Sequence, residues 1–138
     1  EAIDSYKQAI QIKPDYAAAY NNLGIALKDK GDLNEAIDSY KQAIQIKPDY
    51  AAAYYNMGVT LKDKGDLNEA IDCYKKTIQI RPDYADAYNN LGNVFKDKGD
   101  LNEAIDCYKQ TIRIRPDYAE ATTNLSILLS ITIIIMVK

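Results

Sequence analysis

Several sets of side chains in this sequence could do chemistry by their type and spacing. The segment Lys-Asp-Lys-Gly-Asp-Leu-Asn-Glu occurs at residues 28–35, 62–69 and 96–103. Its alternating carboxylates and amide suggest a calcium loop, but the Asp-x-Asp-x-Asp-Gly order and the 12-residue frame are absent. Gly24 and Gly31 are not followed by Gly-Lys-Ser/Thr, so they form no phosphate loop. Cys73 and Cys107 are two thiols in a chain without histidine, too few for a zinc site. The missing histidine also removes the commonest general base. Acidic residues are plentiful, but Asp15, Asp49, Asp83 and Asp117, like Asp32, Asp66 and Asp100, fall at turn and cap positions. No catalytic, metal or cofactor constellation emerges, and the expectation is a protein that is not an enzyme.

The elements that would position these groups repeat. Residues 17–50 return as 51–84 and again as 85–118, with a period of 34. The first two copies differ at only eight positions. A period of this length implies stacked supersecondary units that share small cores between neighbours. Cys73 and Cys107 are themselves 34 residues apart. Equivalent atoms of neighbouring repeats lie beyond the ~7 Å Cα limit for a disulfide. Small half-buried thiols in a reducing compartment are therefore expected, which points to the cytoplasm.

Each copy divides into two helices. Ala19, Leu23, Ala26 and Leu27 form one stripe of a 3.6-residue helix. Gly31 can close it in the left-handed conformation. Asp32 and Glu35 read as a capping box for the next helix, which buries Ala36, Ile37, Tyr40, Ala43 and Ile44 and stops before Pro48. Asp49 is placed to cap the helix after that. The same spacing predicts helices over 51–63, 68–80, 85–97 and 102–114, packed as antiparallel pairs. Gly24, Gly58 and Gly92 with Ala36, Ala70 and Ala104 allow close contact. Tyr20, Tyr54, Tyr88, Tyr40, Tyr74 and Tyr108 fill the larger gaps, so most of the 12 tyrosines read as core rather than as an aromatic ligand box.

The set Tyr20, Leu23, Gly24, Leu27, Ala36, Tyr40, Ala43 and Pro48 resembles the tetratricopeptide repeat, with tyrosine where many members carry tryptophan. Phe95 and Thr111 are mild departures in the third copy. The resemblance covers the second helix of a partial repeat (1–16), full repeats at 17–50, 51–84 and 85–118, and a first helix with an apolar tail (119–138). It implies an all-α, right-handed α-solenoid whose first helices line a concave groove. That mapping places Asn22, Asn56, Asn90 and Asn124 in a row. Asn21, Tyr55 and Asn89 flank it, with Ile25, Val59 and Asn93 and then Lys28, Lys62 and Lys96. The row is similar to the superhelical repeats of O-linked N-acetylglucosamine transferases and implies capture of an extended peptide backbone, since an amide both donates and accepts. Asparagine also suits a plain solvated helix face. The family's carboxylate-binding positions fall on Asn21, Ile25, Asn56, Asp86 and Asn90, of which only Asn56 survives. Capture of a C-terminal carboxylate is therefore not expected, and Asp86 and Glu120 favour neutral or basic segments.

The end departs from the repeat. Thr122 and Ser126 replace the tyrosine and glycine, and residues 127–137 form an apolar run of 11. As helix the run reaches ~17 Å against a hydrocarbon thickness of ~30 Å, so no membrane span is expected. Three readings compete: a helix that self-associates through Ile127, Leu128, Ile131, Ile134 and Ile135, a cap folded onto the last repeat, or a truncation scar. Since the chain opens at Glu1 in mid-repeat, it reads as a fragment. A net charge of −3 without a basic patch argues against nucleic acid. The leading expectation is a protein or peptide scaffold. The alternatives are a homodimerising structural piece and a targeting segment of a larger glycosyltransferase-like enzyme.

Overall fold

The structure is a computed structural model that describes residues 1–138, and its elements are all helical. In order they are α1 (Ala2–Ile12), α2 (Ala17–Lys30), α3 (Leu33–Ile46), α4 (Ala51–Lys64), α5 (Leu67–Ile80), α6 (Ala85–Lys98), α7 (Leu101–Ile114) and α8 (Ala119–Met136). The helices fall into two compact units, Glu1–Ile80 and Arg81–Lys138.

Two kinds of turn set the helix ends. Gly31, Gly65 and Gly99 close α2, α4 and α6 at φ of 96°, 95° and 83°. The Gly31 N–H donates to the Lys28 carbonyl at 2.9 Å and the Asp32 N–H to the Leu27 carbonyl at 2.9 Å. These two bonds satisfy carbonyls that the helix end would leave bare. The capping box expected at Asp32 does not form: Asp32 is the N-cap of α3 but makes no side-chain cap bond. Its carboxylate pairs instead with Lys30 at 3.5 Å. Asp49 is not a cap either, because Tyr50 is the residue that precedes α4. The proline turn is held another way. The Tyr50 N–H donates to the Lys47 carbonyl at 3.1 Å, and the Lys47 ammonium sits 4.9 Å from the Tyr50 ring centre. Lys13 on Tyr16, Arg81 on Tyr84 and Arg115 on Tyr118 repeat this stacking at 5.3, 4.7 and 4.5 Å, an attraction of about 0.5–1 kcal/mol at exposed sites.

Within each unit, a glycine pressed against a tyrosine joins the two helices of a pair. A Cβ added to Gly24 would stand 2.4 Å from the Tyr40 ring, and one on Gly58 would stand 2.7 Å from Tyr74. In the second unit the equivalent distance from Gly92 to Tyr108 is 2.8 Å. Tyr40, Tyr74, Tyr108, Ala36, Ala70 and Ala104 are fully buried. The buried threonine hydroxyls of α5 and α7 are satisfied within their own helices, Thr77 donating to the Cys73 carbonyl at 2.8 Å and Thr111 to the Cys107 carbonyl at 2.9 Å, whereas the Tyr40 hydroxyl is buried without a hydrogen-bond partner.

The core of the second unit gathers Ala104, Ile105, Tyr108, Ala121 and Leu128, flanked by Phe95, Leu101, Ile112, Tyr118 and Leu125. Leu128, expected on a self-association surface, is therefore part of the unit's own core. Ile133 stands where Gly31, Gly65 and Gly99 turn the chain. A β-branched side chain resists the left-handed conformation, so α8 runs on to Met136 and reaches 18 residues. The apolar run is thus the second half of a longer helix of ~27 Å. By length and composition alone, α8 is long and apolar enough to cross a membrane, and the 17 Å figure for residues 127–137 does not describe the whole element.

Gly24→Ala should lower stability by about 1–3 kcal/mol through overpacking, read from the midpoint of urea denaturation. In a Tyr40→Leu background the same change should cost measurably less, because the two residues share one contact.

Candidate functional site

The first helices of the pairs carry the residues expected to bind. In the first unit, α2 and α4 are joined by the Asn56 amide donating to the Asn21 carbonyl oxygen at 3.1 Å. Lys28 reaches Asp63 at 3.8 Å. The Tyr55 ring packs on Tyr74 at 5.9 Å between centroids. Asn22 and Ile25 are exposed, while Lys28, Tyr55, Asn56, Val59 and Lys62 are half-buried. In the second unit, Asn90, Asn93, Lys96 and Asn124 are half-buried.

Asn21 and Asn89 stand apart from the rest of this set, being 6% and 1% exposed. A buried amide needs a partner inside the fold, and the two units differ in whether it finds one. In the first unit Asn21 accepts from Asn56. In the second unit the Asn89 carbonyl oxygen has no hydrogen-bond partner, and the Asn124 amide donates at 3.4 Å to Asn93 instead.

A polar cluster surrounds Asn93. The Tyr108 hydroxyl donates to its carbonyl oxygen at 2.5 Å, and its amide donates to Glu120 at 3.1 Å. A second cluster holds Asp86, which accepts from the Tyr118 hydroxyl and pairs with Arg115 at 3.7 Å. The roles of Tyr108, Tyr118 and Arg115 were not apparent from the sequence, where Tyr108 read as core and the other two carried no assignment. The signal available was Asn93 itself, a polar residue in the place of Ile25 and Val59.

The electrostatics favour hydrogen bonding over reaction. Burial, and then the Glu120 and Asp97 carboxylates, push the Tyr108 phenol well above its ordinary range. Burial and then Asp86 raise Tyr84, with Arg81 opposing. These phenols remain donors at any physiological pH. Burial, and then Asp72 and Glu69, push the Cys73 thiol up to about 12, which makes it a poor nucleophile. Neither cysteine is in a disulfide, and both are buried. No group of three or more His, Cys, Asp or Glu side chains is placed to hold a metal.

Paired helices closed by left-handed glycines, with amide-bearing first helices, define a helical-repeat interaction module. The family model described as TPR repeat matches residues 1–31, 26–65 and 60–99, and that described as tetratricopeptide repeat matches 85–118. The chain belongs to the tetratricopeptide repeat family, a family of generally non-catalytic protein-interaction modules. No curated protein matches it significantly. Among solved structures it is similar to a crystal structure of MamA, at 30% identity and a TM-score of 0.87, covering 93% of this chain and 75% of that one. A second MamA structure gives 30% identity and a TM-score of 0.85 over 93% and 70%. The first TPR of Spaghetti (RPAP3), solved bound to an HSP90 peptide, shares the fold at 21% identity and a TM-score of 0.81, over 84% and 92%.

The raised thiol has a thermodynamic consequence. Cys73 titrates near its ordinary value of 9.0 when unfolded and at about 12 when folded. Its contribution is complete below pH 9 and is lost as pH rises toward 12, since the unfolded state releases the proton first. Denaturation of Cys73→Ser should show a shallower loss of stability between pH 9 and 11 than the parent.

Proposed function

We propose that this chain is a non-catalytic protein-interaction scaffold that holds extended peptide segments along the first helices within each unit. The observation that carries the reading is the division of labour within each first helix. Gly24, Gly58 and Gly92 are consumed by the tyrosine contact. Asn22, Ile25 and Val59 and the amides Asn56, Asn90 and Asn124 lie at positions that are exposed or half-buried. Amides hydrogen-bond a peptide backbone without demanding particular side chains, and Ile25, Tyr55 and Val59 add apolar contact. The peptide-bound RPAP3 relative supports a peptide ligand in outline. A C-terminal carboxylate is a poor ligand here, because Asn21 is buried and Asp86 is an anion already paired with Arg115. Two buried cysteines outside any disulfide suit a reducing compartment, and we place the protein in the cytoplasm.

Peptides selected from a random library against the full chain should bind with micromolar affinity by fluorescence anisotropy. N-methylation of their central amides should weaken binding about tenfold, as should Asn22→Ala/Asn90→Ala, whereas C-terminal amidation should leave it unchanged. Unaltered affinity after both N-methylation and the asparagine changes would remove the backbone-capture reading.

A second reading rests on α8. Ile127, Ile131, Ile134 and Ile135 are 51%, 38%, 53% and 63% exposed, an apolar surface of the kind that marks an interface. Homodimerisation through it would bury these side chains. Light scattering should give a dimer for the chain and a monomer for Ile131→Glu/Ile134→Glu; a monomeric parent would dismiss the idea.

A further inference from the structure

The repeats at 51–84 and 85–118 differ at eight positions, and three of the differences fall on one face of α6. There Asp86, Asn89 and Asn93 stand where the preceding repeat has Ala52, Tyr55 and Val59, at helical spacing that aligns them. Facing them, α8 carries Glu120 at the position of Ala18 and Ala52. An otherwise faithful repeat has thus become a row of acceptors in one seam of the second unit.

The bonding there is incomplete in a specific way. Asn93 Oδ1 accepts from Tyr108 at 2.5 Å and more loosely from Asn124 at 3.4 Å. By repeat equivalence Asn89 and Asn124 match Asn21 and Asn56, which pair at 3.1 Å. In this unit that pair is broken, and Asn89 Oδ1 is left buried without a donor, a costly state for a carbonyl oxygen. Glu120 is exposed and engages Asn93 through Oε1. Arg115, the cation of the neighbouring cluster, is held by Asp86 at 3.7 Å and stacked on Tyr118 at 4.5 Å. The carboxylates that act on Tyr108 are those of Glu120 and Asp97.

We propose that the α6–α8 seam is an arginine-reading position: the guanidinium of a bound segment seats between the Glu120 carboxylate and Asn93 Oδ1, and frees the Asn124 amide to pair with Asn89. The inference rests on the peptide-scaffold reading above. A guanidinium presents donors in a planar fork and so reaches both acceptors at once, which a lysine ammonium does less well. Its arrival replaces the long Asn124 bond on Asn93, and the released amide restores in this unit the pairing seen between Asn56 and Asn21. Recognition and repair of the orphaned acceptor are then one event.

Side-chain amide signals of the ¹⁵N-labelled full chain can be followed during titration with N-acetyl-arginine amide. Those of Asn89, Asn93 and Asn124 should move together, and Glu120→Gln should weaken the response roughly tenfold. Asn93→Val, which restores the valine of the preceding repeat, should fold and lose the response. N-acetyl-citrulline amide, neutral and nearly isosteric, should produce none of it. Equal shifts with citrulline or with N-acetyl-lysine amide would overturn the proposal, as would no shift at all. Library peptides that bind without enrichment of arginine would overturn it while leaving the scaffold intact. Absence of any peptide binder would remove the scaffold reading and this one with it.

Discussion

Everything in each unit depends on a tyrosine ring lying flat against a glycine in the partner helix. Tyr40, Tyr74 and Tyr108 are fully buried, and the faces of Gly24, Gly58 and Gly92 leave no room for a methyl group. Glycine costs roughly 1 kcal/mol in a helix interior. The close approach it permits brings a large aromatic surface out of water, a gain of larger size. The alanines at 36, 70 and 104 serve the same approach with a single carbon. Because these residues fill one side of the first helix, the other side is released from packing.

The left-handed glycines govern where each first helix ends, and α8 shows the consequence of losing one. Its Ile133 cannot turn the chain, so the helix extends and exposes isoleucines that no neighbour within the unit covers. The few polar side chains in this stretch are internally satisfied: Ser130 donates to the Ser126 carbonyl at 3.0 Å and Thr132 to the Leu128 carbonyl at 2.9 Å. A helix built this way can lose its water without stranding a hydroxyl.

The asparagines show how one residue type serves two purposes. Asn21 is spent on holding α2 to α4, while Asn22, its immediate neighbour, faces solvent. A single residue step rotates a side chain by ~100° around the helix, which separates glue from binding surface. In the second unit that distinction weakens, since Asn93 brings a third amide within reach and Asn124 changes its partner.

Much of the architecture was legible without coordinates. The 34-residue period, the Gly31-type stops, the prolines and the apolar stripes are local signals, and local backbone preferences decide helices and turns. Even so, the capping carboxylates were misread at Asp32 and Asp49, because backbone bonds and cation stacking had already satisfied those turns. The candidate site was legible only as a set of positions. That Asn21 and Asn89 are buried, that Leu128 belongs to the core, and that Tyr108 reaches Asn93 are decided by how helices distant in sequence press together. The sequence determines which amides and carboxylates share a helix face; only tertiary packing determines which of them find partners, because a hydrogen bond requires alignment within a few tenths of an ångström.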